Sequence, residues 1–221
     1  MGFAPLLAAI AATGLAFALW ANLDMEVARL FYGVSGGFPA NGALGHLART
    51  IGRALPFVIA GAMALAFAAR RLGLTRLPAP SGRGLAFVVL SLALGPGLLI
   101  NLALKDHSHR PRPVHLREFG GGMEFRPFYR FDGACGRNCS FASGETSAAV
   151  WIVAPAMLAP PPWRAPAVGA ALAFGVAVGA LRMDFGHHFL SDVVFAVLLT
   201  LLVIVATYRG LRLDKAPRDL C

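Results

Sequence analysis

The feature that most constrains this chain is the recurrence of long apolar segments, separated by short basic turns and by one long polar stretch. Six can be drawn, at 3–21, 54–69, 84–104, 146–159, 165–181 and 189–208. A helix that crosses a bilayer needs about 17 to 25 residues. The first, third, fifth and sixth segments meet that length, whereas the second and fourth are short. The fourth is also interrupted by Pro155 and closed by prolines 160, 161 and 162. With 57% hydrophobic and 14% charged residues and a mean hydropathy of +0.65, the chain lies outside the range of soluble globular domains. The expectation is a single polytopic domain over 1–221, an all-α integral membrane helical bundle with six transmembrane helices. The first segment reads as a retained span rather than a cleaved leader, because no Lys or Arg precedes it and no small-x-small site stands before Asn22.

Charge adds orientation. Arg70, Arg71, Arg76 and Arg83 flank one short connection, and Arg209, Arg212, Lys215 and Arg218 lie in the 209–221 tail. Short basic stretches of this kind favour the cytoplasm, which places both termini there; the expected location is a bacterial-type inner membrane. The opposite side is basic too: Lys105, Arg110, Arg112, Arg117, Arg126, Arg130 and Arg137 fall in the 105–145 stretch. A net charge of +9 arranged in this way fits a phosphorylated substrate or anionic headgroups of the bilayer. It does not suggest nucleic acid, since the basic residues flank spans and no nucleic-acid module is visible.

The connection at 22–53 is glycine-rich and reads as an external or re-entrant cover, with a short helix near Asp24 to Phe31. Gly95-Pro96-Gly97 predicts a kink or local unwinding in the third span. The 105–145 stretch is rich in Arg, Pro, Gly and His, and polar loops of that length are usually functional. Its Cys135 and Cys139 suit a local staple or two free thiols better than a metal site, and His107, His109 and His115 sit among arginines that discourage metal binding. Trp20, Trp151 and Trp163, near segment ends, suit interfacial anchoring.

Three polar clusters fall at the same side of the predicted topology. Lys105 and Arg112 offer a point charge and a planar fork, the two kinds of donor that neutralise phosphate oxygens. A Lys at a helix end also snorkels to the interface without any ligand. Ser143 and Gly144 precede a helix start, where a hydroxyl, backbone N–H groups and the helix dipole suit an anion; Ser143 is equally an ordinary N-cap. Arg182 adds a third cation after seventeen uncharged residues. His188 and Asp192 are four apart, so on a helix they share a face. A carboxylate there can accept the Nδ1 proton, fix the tautomer and leave Nε2 as a nucleophile. Carboxylates inside an apolar segment are functional candidates by default.

These clusters resemble the motifs of the type 2 phosphatidic acid phosphatases, membrane relatives of soluble bacterial acid phosphatases and vanadium haloperoxidases. The family pattern is Lys, six residues, Arg-Pro; then Pro-Ser-Gly-His; then Ser-Arg, five residues, His, three residues, Asp. Here Lys105 precedes Arg112-Pro113 by that spacing, Ala142-Ser143-Gly144-Glu145 stands in the second block, and Leu181-Arg182, His188 and Asp192 form the third. The departures are Ala142 for Pro, Leu181 for Ser and Glu145 for His. In the family the second-block His is associated with protonating the leaving oxygen, so Glu145 becomes a modified acid, a group that orients Arg112 or Lys105, or a mark of altered activity.

The resemblance implies a lipid phosphatase. Lys105, Arg112, Arg182, Ser143 and Gly144 would bind phosphate; His188, oriented by Asp192, would attack phosphorus; Glu145 would exchange protons. No cofactor or metal is required, because the cations take the electrostatic role. Candidate substrates are phosphatidylglycerophosphate, phosphatidic acid, undecaprenyl diphosphate or lipid A, reached at the outer (periplasmic) face. The basic stretch 117–137 favours a large, multiply anionic headgroup. Two alternatives use the same residues: a lipid phosphotransferase, and an anion-binding membrane protein or transporter in which His188 and Asp192 relay protons.

Overall fold

A computed structural model describes residues 2–33 and 36–214. Lys215, Arg218 and Cys221 of the predicted cytoplasmic tail lie outside the described residues. The elements, in order, are α1 (Phe3–Leu19), α2 (Leu23–Leu30), α3 (Ala43–Arg71), α4 (Gly82–Leu92) with a π-helical continuation (Ala93–Lys105), α5 (Gly144–Val150), α6 (Val153–Met157), α7 (Pro161–Asp184) and α8 (Leu190–Gly210). Among the described residues there are no strands, only isolated bridges, so the all-α expectation holds. Four helices are long and apolar enough to cross a membrane, namely α3, α4 with its continuation, α7 and α8. A fifth is reached if α1 and α2, bent by 87°, count as one broken span. Length and composition therefore give four or five candidate spans against the six expected.

Two boundaries differ from expectation for physical reasons. The first connection ends at Gly42, and residues 43–53 form the first turns of α3. That stretch is rich in Ala, Leu and Arg, which propagate a helix although two of them are charged. The expected fourth span, 146–159, is split into α5 and α6 around Trp151 and Ile152. Trp151 is fully buried, and its indole N–H donates to Ser91 Oγ at 2.9 Å and to the Val88 carbonyl at 3.2 Å. It anchors the bundle core rather than the interface, whereas Trp20 and Trp163 are exposed.

The core forms where Trp151 and Val150 meet Phe87, Leu201 and Ile204. Gly175 lets α7 approach α5 closely, since a Cβ there would run into Val150. In the third span the expected kink is a widened helix instead. Proline lacks an N–H and crowds the preceding turn, and π-helical spacing relieves both conflicts. The Asn101 side-chain Nδ2 donates to the Pro96 carbonyl at 2.7 Å, giving that carbonyl a partner.

This architecture gathers the start of α3, the end of the α4 continuation, the start of α5, the end of α7 and the start of α8 at one end of the bundle. The polar stretch is laced across that end by backbone hydrogen bonds from Cys139 N to Lys105 O (3.2 Å), Ser140 N to Arg110 O (2.8 Å), Val114 N to Gly186 O (2.9 Å) and Ser143 N to Asp192 O (3.2 Å). A Cys135–Cys139 disulfide, with Cα atoms 5.7 Å apart, staples it locally.

Candidate active site

Lys105, Arg112, Gly144, Glu145 and Arg182, drawn from all three sequence clusters, line one cavity of about 560 Å³. Arg49 and Arg53, from the unexpected first turns of α3, line it as well. Gly144 packs closely on the Asn101 side chain, which also faces the cavity: a Cβ there would displace the Asn101 amide.

Arg182 is 2% exposed, and its Nε and Nη1 are buried without a hydrogen-bond partner. Its Nη2 donates to His187 Nδ1 at 2.6 Å, and Glu145 Oε2 lies 3.5 Å from Nε as an ion pair. Donors left unmatched in a buried site cost roughly 1–3 kcal/mol each, so an anion with several acceptor oxygens fits them. His187 therefore supports Arg182. Burial, together with the Arg182 and Arg112 charges, lowers the His187 pKa to about 3 and keeps it neutral.

His188 is 2% exposed and precedes α8, so the shared helix face expected for His188 and Asp192 does not arise. Its Nδ1 donates to the Ser140 backbone carbonyl at 2.8 Å, while Asp192 Oδ2 stands 3.6 Å away. The carbonyl, not the carboxylate, is thus the nearer acceptor. The chemical result is the one expected, because Nε2 is left with its lone pair. Burial lowers the His188 pKa to about 4 against the opposing pull of Asp192, which keeps the ring neutral near pH 7. Residue 188 does not itself line the cavity; Lys105 and Arg182, which do, lie close enough to act on its charge.

Asp192 is the third residue of α8. Its Oδ2 accepts from the Phe189 N–H at 2.8 Å and from the Ser140 hydroxyl, and its Oδ1 accepts from Arg110 Nη1 at 2.5 Å. Arg110 is wholly buried, and it also donates to Asp24 Oδ2 (2.7 Å), Ser191 Oγ (2.8 Å) and the Arg126 carbonyl (2.8 Å). It stacks 4.3 Å from the Phe189 ring centroid. Ser143 is buried at the N-cap of α5, but its hydroxyl pairs with Thr146 Oγ1 at 2.8 Å instead of capping the backbone.

Glu145 receives Arg49 through three contacts of 2.9, 3.2 and 3.3 Å. Burial alone would raise its pKa, but the hydrogen-bonded Arg49 and the Arg182 charge outweigh it and hold the carboxyl below its ordinary range. Arg112 donates to the Asn138 carbonyl at 2.8 Å.

The model of the PAP2 superfamily matches residues 84–214. The chain belongs to this superfamily. Among its PAP2 relatives are proteins named lipid A 4'-phosphatase from Rhizobium leguminosarum (33% identical over 205 residues, 86% of this chain and 88% of the relative), from Rhizobium etli (34%, 86% and 79%) and from Francisella tularensis subsp. novicida (34% over 185 residues, 81% and 82%). No solved structure shows significant similarity. The chain is accordingly a PAP2 lipid phosphatase, a phosphoric ester hydrolase, and its apolar helices and bacterial relatives mark a multi-pass membrane protein of the bacterial inner-membrane type.

In this PAP2 protein the sequence reading missed Arg49, Arg53, Arg110, Asp24 and the Ser140 carbonyl. Arg49 and Arg53 carry a usable signal, since His46, Arg49, Thr50, Arg53 and Phe57 recur at helical spacing. The expectation that the 117–137 arginines serve an anionic headgroup is not supported by their partners. Arg117 and Arg126 pair with Glu124 at 3.5 and 3.3 Å, and Arg130 pairs with Asp132 at 2.6 Å. None of these three lines the cavity.

Proposed function

We propose that this PAP2 phosphatase removes the 4'-phosphate of lipid A, through a phosphohistidine on His188. The substrate assignment rests on the names of the relatives. The mechanism rests chiefly on one observation, the buried and unmatched Nε and Nη1 of Arg182 beside a neutral imidazole whose Nδ1 is already bonded.

Lys105, Arg112, Arg182 and the amides after Ser143 take the phosphate oxygens, with the donors already in position before charge builds up. His188 Nε2 attacks phosphorus and the P–O bond to the sugar breaks. An arriving phosphate draws Arg49 and Arg182 onto its oxygens and brings negative charge beside Glu145, and both effects raise the Glu145 pKa. Glu145 then carries the proton that the leaving oxygen takes. In the second half, water attacks the phosphohistidine, Glu145 recovers a proton from that water, and breaking of the P–N bond releases phosphate. Asp192 supports the positive charge that grows on His188 from 3.6 Å.

For topology, the reading adds the bent α1–α2 pair and the broken 146–159 segment to the four clear spans. This gives six, with both termini in the cytoplasm and the cavity opening at the periplasmic face. In support of this reading, α3 carries Arg49 and Arg53 at the cavity end and Arg70 and Arg71 at the other, and the positive-inside rule favours the short basic connection that follows as cytoplasmic.

The test is phosphate release by purified protein in detergent across a panel of lipid phosphates that includes lipid A. Release from lipid A that exceeds release from phosphatidic acid, and that disappears in His188→Ala, is expected. Equal release by His188→Ala would reject the nucleophile, and preference for a glycerolipid would reject the substrate.

A further inference from the structure

The charge balance of the cavity does not match a single phosphate. Five cations line it, Arg49, Arg53, Lys105, Arg112 and Arg182, against the one carboxylate of Glu145. Four positive charges are left over, while a phosphomonoester brings about −1.5 to −2 at pH 7. The surplus comes from α3. A second hollow of about 360 Å³ adjoins the first and shares Arg49, Arg53 and Phe57 with it; His46, Thr50 and Ala54 complete its lining. Residues 46, 49, 50, 53, 54 and 57 form one helical stripe, so α3 turns a basic upper face and an aromatic lower end toward the same space.

The two arginines of this stripe differ. Arg49 is tied to Glu145 and sits 5.8 Å from the Phe185 ring centroid. Arg53 forms no hydrogen bond or ion pair among the described residues, although it is close enough to act on the charge of Arg182. Arg49 and Arg53 are one turn apart, about 6 Å along the axis.

We infer that Arg53, with His46 and Thr50 beside it, forms a second anion subsite that holds another phosphate or carboxylate of the same substrate while the first is at Arg182 and Lys105. The inference rests on the phosphatase reading for the position of the first phosphate. The enzyme then selects lipids with two separated anionic groups, and Phe57 receives the apolar part that lies below them.

The experiment uses a short-chain glycolipid monophosphate and its bisphosphate counterpart, in neutral detergent without anionic lipid, together with the matching non-hydrolysable mono- and bisphosphonates for calorimetry. Wild type is expected to bind the bisphosphonate at least tenfold more tightly. Arg53→Gln is expected to abolish that preference, raising KM for the bisphosphate at least tenfold more than KM for the monophosphate. Arg53→Lys should restore part of the preference. Equal losses on both ligands, or none on either, overturn the subsite. An Arg53→Gln effect that appears only when anionic lipid is added makes Arg53 a bilayer contact and also overturns it. Bisphosphonate preference without turnover keeps the subsite and sinks the phosphatase mechanism; turnover without preference does the reverse.

Discussion

Arg110 and Arg182 are both buried arginines at the same end of the bundle, and they are opposites. Arg110 is saturated: two carboxylates, a hydroxyl, a carbonyl and an aromatic face surround it. Arg182 keeps two donors unmatched and faces the cavity. A buried charge whose partners are complete holds structure together, and one whose partners are incomplete is arranged for something that arrives. Arg110 binds α2, the polar loop and α8 into one unit and fixes Asp192, whereas Arg182 waits for an anion.

The contrast predicts different failures. Arg110→Ala leaves Asp24 and Asp192 buried without a counter-charge and should cost about 3–5 kcal/mol of stability, seen as a large drop in Tm in detergent. An unchanged Tm would mean that the network is not structural. Arg182→Gln should lower kcat/KM by roughly 10²–10³-fold while Tm holds or rises, since it removes donors that nothing satisfies; a collapse of Tm would make Arg182 another Arg110. Glu145→Gln should slow esters of poor leaving groups about 10²-fold and diphosphates much less; equal slowing would reduce Glu145 to an orienting group.

A smaller effect concerns pH. The folded His188 pKa, about 4, lies below its ordinary value of 6.5, so the unfolded chain binds more protons between those values. Stability linked to His188 is therefore complete above pH 6.5 and declines as pH falls toward 4. Labelled-histidine NMR should show a midpoint near 4, moving lower in Asp192→Asn because the favourable charge is gone. A midpoint near 6.5 would contradict the buried, neutral ring.

What the sequence disclosed was local. Lys105, Arg112, Glu145 and Arg182 come from short motifs at helix ends, and alternating helix direction alone brings those ends together. Asp24, which accepts from the Ser191 N–H across 167 positions, and the Ser140 carbonyl, which any residue type would provide, leave no mark in a motif. Trp151 was misplaced because nearness to a segment end does not reveal whether an indole meets lipid or Ser91. The α3 arginines were hidden by a boundary set on hydropathy, as charged residues in good helix formers end the apolar segment but not the helix.

The central claim is that His188 becomes phosphorylated while Arg182 holds the phosphate. Base-quenched reactions with lipid A labelled at the 4'-phosphate should contain a phosphoprotein that is stable to base and lost on acid treatment, absent in His188→Ala and strongly reduced in Arg182→Gln. Full phosphate release by His188→Ala, or undiminished labelling in that variant, would contradict it.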